Sequence, residues 1–199
     1  MVILPLILIA AVLLASLSAA HNTRSGITCV NVLRQTGISF KIWEGEHEDK
    51  YPMSVSVTNG GAMEFAALGN AEAIFQIMSN ELSSPKILVC PQDKHRHAAT
   101  NFNARLMADN LSYFVNPDSN EANPQDIMSG DDNLEIRGVR VKSGLLIITS
   151  NTPIAWTADR HRLSGNIGMA DGSVQGVSNL GLTNYLFSTN TAGLRLAIP

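Results

Sequence analysis

His161 opens the stretch "HRLSGNIGMADGSVQ", Asp171 lies ten positions on within it, and the two are a pair whose types could do chemistry. A histidine and a carboxylate can form an acid–base couple or two ligands of a metal. Catalysis would further need a nucleophile or water within hydrogen-bond reach, and a zinc site needs three or four ligands. The sequence supplies neither beside them, so a metal-using hydrolase around His161 and Asp171 is the weakest of the functional readings. Asp171-Gly172 lies between two short runs of apolar and small residues, a strong hairpin signal. This assigns His161, Asp171 and Gly172 a structural role, with His161 bonding across the entrance to the first strand.

Other groups with ligand chemistry are scattered. His95 and His97 in "DKHRHAAT" are two apart, without a cysteine or carboxylate pattern to complete a site. The interval 116–133, "NPDSNEANPQDIMSGDDN", reads as loop throughout and offers hard oxygen ligands. Asp118, Asp131, Asp132 and Asn133 are the weak calcium candidates there, without EF-hand spacing; no other cofactor is implied. Cys29 and Cys90 are the only cysteines. In an exported domain they are disulfide candidates, and closing that loop would stabilise the fold by about 4 kcal/mol on the chain-entropy model. Two cysteines without CxxC spacing argue against zinc. No phosphate loop, nucleophile elbow, HExxH or dinucleotide fingerprint is present.

The elements that position these residues come next. A formal charge of -3 over 199 residues excludes a basic footprint for nucleic acid. Residues 2–20, "VILPLILIAAVLLASLSAA", carry no charge and are long enough to cross a bilayer as a helix. They also end in small residues that suit signal-peptidase cleavage after Ala20. Val30, Leu33, Ile38, Ile42 and Trp43 roughly follow helical spacing, so residues 1–43 read as a hydrophobic-to-amphipathic stem. Residues 44–199 read as a globular head. "AEAIFQIMSNEL" is helical, with Ile74, Ile77, Met78 and Leu82 on one face. "PKILVCP", "LSYFV", "LEIRGVRV", "LLIITS" and "IAWTA" read as strands, and "NLGLTNYLF" as a short helix. The expected class is α+β: a long N-terminal helical stem packed on a mainly antiparallel head.

Three motifs in order then resemble bacterial pseudopilins and prepilin-like proteins of the Verrucomicrobia type. Cys29, Asn31, Leu33, Arg34, Gln35, Tyr51 and Pro52 fit the stem end. Ser84, Pro85, Lys86, Cys90, Pro91 and Asp93 fit the middle segment, and His161, nine residues, Asp171 and Gly172 fit a signature of that group. The resemblance covers 29 to about 177. It implies a non-enzymatic structural subunit of a type II secretion or type IV pilus-like filament. It further implies a pilin-like fold, an inner-membrane single-pass helix with a periplasmic head or an extracellular filament, and partners that are copies of itself and other pilin-like subunits. The family's basic leader and Gly-Phe-Thr-Leu-Ile-Glu sequence are not matched. The alternative is a secreted soluble binding domain, calcium-dependent, released after Ala20.

Overall fold

The computed structural model describes residues 27–188 and 193–199. Helix α1 covers 27–45. Four short helices follow: α2 (Met63–Ala67), α3 (Ala71–Ile77), α4 (Ser79–Leu82) and, late in the chain, α5 (Asn179–Leu186). Among the described residues there are also nine strands: β1 (Tyr113–Val115), β2 (Ile127–Asp131), β3 (Leu134–Ile136), β4 (Val139–Arg140), β5 (Gly144–Ile148), β6 (Ile154–Trp156), β7 (Ser164–Met169), β8 (Val174–Ser178) and β9 (Leu194–Ile198). They form a six-stranded antiparallel sheet in the order β5-β9-β1-β2-β7-β8 and a three-stranded sheet in the order β4-β3-β6.

Two expectations are corrected here. The fold is mostly antiparallel sheet with short helices, and its first helix begins, among the described residues, at Ile27 rather than as a long N-terminal stem. Among the described residues no helix is long and apolar enough to cross a membrane, which removes the support for a single-pass inner-membrane protein. The apolar run 2–20 and the Ala20 site lie outside the described residues. The physical reason is visible in α1, whose inner face carries Cys29, Leu33, Thr36, Phe40 and Trp43, all buried within the head. A helix with one face committed to a sheet-built core is an element of that core.

Alternation along the strands sorts the core into two clusters, one on each face of the large sheet. Tyr113, Val115 and Met128 join α1, α3 and Tyr51; Phe114, Ile127 and Ile167 join Trp156, Leu182 and Leu196. The molecule therefore stacks helices, a central sheet, and then a layer of α5 and the small sheet.

Several local expectations meet tertiary corrections. "PKILVCP" is not a strand: Pro85–Leu88 is a 3-10 turn, begun by Ser84, whose hydroxyl accepts from Lys86 N. Pro85 has no N–H for a strand ladder, and its fixed φ suits the first position of a turn. The loop 116–133 contains the buried strand β2, which pairs with both β1 and β7. "LEIRGVRV" is a hairpin, split at Arg137-Gly138, both with positive φ (53° and 75°); that geometry is a two-residue hairpin turn. Ile38 and Ile42 lie on the outer face of α1, opposite Leu33 and Trp43.

Candidate functional site

The structure separates His161 from Asp171. Asp171 sits at the tip of the β7–β8 hairpin. Gly172 N donates to Met169 O at 2.9 Å, and Gly172 itself has φ 83°. Ala170-Asp171-Gly172 is thus a three-residue loop closed by a left-handed glycine. The Asp171 carboxylate accepts from Ser173 N at 2.8 Å, and the Ser173 hydroxyl together with that N–H draws its pKa below the usual carboxylate range. The tip is held from behind, because the buried Tyr51 hydroxyl donates to Ala170 O at 2.8 Å. Burial pushes the Tyr51 phenol up to about 12. The Asp171 carboxylate serves the local turn, while the residue's N–H donates to Pro124 O at 3.1 Å.

His161 lies at the other end of β7 among buried charges. Residues 161–163 carry φ of 53°, 53° and 62° without a glycine. Left-handed backbone costs a non-glycine residue roughly 1–2 kcal/mol and persists only where the surroundings over-determine it. Here the turn directs two consecutive side chains, Arg160 and His161, inward. Ser164 Oγ closes it by donating to His161 O, while Gln92 Oε1 accepts from His161 N at 3.3 Å.

Three carboxylates and three cations meet at this place. Arg160 Nη1 is 3.0 Å from Asp93 Oδ2, its Nη2 pairs with Asp132 Oδ1, and its Nη1 also donates to Ser112 O at 3.2 Å. Arg96 Nη2 binds the second Asp132 oxygen at 2.6 Å. Asp131 Oδ2 accepts from Asn166 N at 2.7 Å and Asn166 Nδ2 at 2.8 Å, and lies 3.2 Å from His161 Nε2. Asp131, Asp132 and Arg160 are almost wholly buried. Burial raises the Asp132 carboxyl despite both arginines. At Asp93 burial is outweighed by Arg160, the His95 N–H and the Ser112 hydroxyl, and the pKa falls. Opposing partners hold the Arg160 guanidinium above its usual value although burial opposes its charge.

Against this charged network lie the two sulfurs. Cys29, on the inner face of α1, and Cys90, just after the 3-10 turn, are fully buried, with Sγ atoms 2.7 Å apart. Cys90 Sγ is also 3.4 Å from His161 Nε2. Burial opposes the imidazolium, but Asp131 and Cys90 outweigh it and push the His161 pKa up to about 10. Cys29, Cys90 and His161 are a geometric cluster of metal-ligand type, with ligand atoms within 4.8 Å of one another. Such a soft set fits thiol–disulfide chemistry or a thiophilic cation. A cleft of ≈ 580 Å³ opens beside it, lined by Val30, Gln92, His161, Arg162, Ser164 and Asn166 among others.

The other candidates are dispersed. Asp118 is exposed and bound to Arg195, whose Nε is 2.8 Å from Asp118 Oδ2. Asp131 and Asp132 are engaged by His161, Asn166 and the arginines, and Asn133 Nδ2 turns to Ser164 O at 3.4 Å. These four therefore do not gather around one point. His95 and His97 are exposed in a loop. The residues missed by inspection of the sequence are Arg96, Arg160, Asn166 and Gln92. The available signal was "ADRHRLS", a charged patch between two strand-like runs in a chain with few charges.

Compared with known proteins, the chain matches no family model, no curated protein and no solved structure.

Proposed function

We propose that this chain is a structural subunit of an extracellular filament of the pseudopilin kind, assembled by packing the outer face of α1 against copies of itself and related subunits. One observation carries the reading. Ile27, Asn31, Arg34, Ile38 and Ile42 are spaced four, three, four and four residues apart and are all exposed, so they line a single stripe. Its isoleucines are 59%, 49% and 46% exposed, on a helix whose other face is already buried in the head. Apolar residues on both faces of one helix suit an element between two cores. Motif resemblance over 29–177 points the same way. The reactive side chains of the buried cluster bind one another, which supports an assembly role over an enzymatic one.

The test is cross-linking of the purified full chain. A cysteine at Ile38 should link neighbouring copies, whereas one at Leu180, 98% exposed on α5, should not. I38E together with I42E should abolish uniform filaments in electron micrographs while leaving the circular dichroism of the head unchanged. A chain that sediments as a monomer at every concentration overturns the reading and favours the exported binding domain.

A further inference from the structure

Cys29 reaches the interior because α1 turns it to the same face as Leu33 and Phe40. Cys90 reaches it because the chain around the 3-10 turn is pinned to the head, with Leu88 O accepting from Ser112 N at 2.9 Å. The sulfurs that meet belong to segments 61 positions apart in sequence. At 2.7 Å they are closer than two unbonded sulfur atoms rest. Cys90 Sγ is within reach of both Cys29 Sγ and His161 Nε2, and Asp131 Oδ2 lies 3.2 Å from that same His161 nitrogen.

We propose that Cys29 and Cys90 form a disulfide bolting α1 to the sheet-built head, and that His161, held by Asp131, prepares the Cys90 thiol to close it. The inference stands apart from the filament reading, since it concerns one chain whether or not copies assemble. The geometry discriminates against a metal. Tetrahedral zinc with Zn–S near 2.3 Å keeps two sulfur ligands roughly 3.7 Å apart, about an ångström more than is found here.

The chemistry balances with a small or protein disulfide as oxidant. Both sulfurs are fully buried once α1 is seated, so capture precedes docking. The Cys29 thiolate attacks the donor disulfide, forms a mixed disulfide and releases one donor thiolate. Docking of α1 then brings Cys90 to the Cys29 sulfur. Cys90 loses its proton beside the His161 imidazolium, and its thiolate attacks Cys29 and expels the second donor thiolate, which takes up a proton. Two protein thiols become one disulfide, and the donor disulfide becomes two thiols. In the docked reduced pair Cys90 donates to Cys29, and this bond together with burial holds the Cys90 pKa above its usual value. Cys90 is therefore the thiol that needs help. The strained turn at 161–163 supplies it by fixing the imidazole against the sulfur.

The experiment refolds the full chain in oxidised and reduced glutathione, quenches with an alkylating agent and measures intact mass. Native wild type should take up no alkyl group, weigh two hydrogens less than the reduced chain, and expose both thiols only after reduction and unfolding. The groups facing Cys90 are Cys29 from α1, Asp131 from β2, and His161 with Arg160 behind it. The cation beside the thiol should therefore speed wild-type closure at every pH below about 10, where the imidazolium persists. H161Q should close about tenfold more slowly and regain speed as pH rises, because the thiolate fraction then depends on solvent alone. Native, folded wild type that keeps two free thiols in oxidised glutathione overturns the disulfide. Stoichiometric zinc whose removal by chelator frees both thiols overturns it in favour of a metal site. H161Q closing at the wild-type rate and with the wild-type pH profile overturns the role of His161.

Discussion

His161 and Asp171 stand at opposite ends of β7, ten residues apart in one motif, yet their surroundings share almost nothing. Asp171 is a turn residue in water: its carboxylate binds the N–H two residues on, and Gly172 supplies the left-handed corner. His161 is also in a turn, but a left-handed one without a glycine, bent so that it and Arg160 face buried carboxylates from β2 and from the loop after Cys90. At the tip the Asp171 side chain is satisfied within two residues, while Tyr51 and Pro124 hold only the backbone of the loop. The other end depends on partners 28 to 71 positions away. Spacing in a motif is therefore not proximity in the fold, because a six-residue strand carries its two ends roughly 20 Å apart at about 3.3 Å per residue.

Substitutions at the two ends should differ accordingly. The largest effect belongs to Arg160→Met, which leaves Asp93, Asp131 and Asp132 buried around a missing cation. Losing one partner of a buried charge network costs about 3–5 kcal/mol, read as a fall in denaturant midpoint. Arg195→Met breaks only the exposed pair with Asp118 and should cost about 0–1 kcal/mol in the same assay. Equal losses from the two would erase the contrast.

Next comes His161→Gln, expected to cost about 1–3 kcal/mol through the lost charged hydrogen bond to Asp131. Its sign with pH is fixed by linkage. The folded pKa is raised from 6.5 to about 10. The contribution of His161 is thus complete below 6.5 and is lost as pH rises towards 10. Urea titrations of the reduced protein across that window should show wild type losing its advantage over H161Q; a constant difference would deny the imidazolium.

The hairpin tip should respond less. Gly172→Ala meets open space, so only the left-handed φ of 83° opposes it, at about 1–2 kcal/mol. Asp171→Ala should cost least, about 0.5 kcal/mol, because water replaces most of what the exposed carboxylate provides. An Asp171 effect larger than that of His161 would reverse the comparison and return chemistry to the tip.

The same division runs through the rest of the molecule. β5, β6, the β7–β8 hairpin and α5 were legible, since each is a run of the right period beside its own turn signals. β9 and β2 were not: "LRLAI" is short and terminal, and "IMSGD" looks like loop. Each becomes a strand only because the neighbours in the sheet pair with its backbone. The burial of Leu33 and Trp43 followed from helical spacing, but Ile38 and Ile42 facing outward did not. Hydrophobicity alone does not say which of two apolar stripes meets the head.

By itself the sequence determined the local decisions: helical periodicity from 30 to 43, the Asp171-Gly172 corner, and a formal net charge of -3. Those depend on steric and hydrogen-bonding rules acting over a few residues. Tertiary structure alone decided that Cys29 meets Cys90, that His161 answers to Asp131 rather than Asp171, and that Arg160 is buried among three carboxylates. These pairings are set by how sheet, helix and loops pack, and buried charges tolerate that packing only where their partners arrive from distant segments.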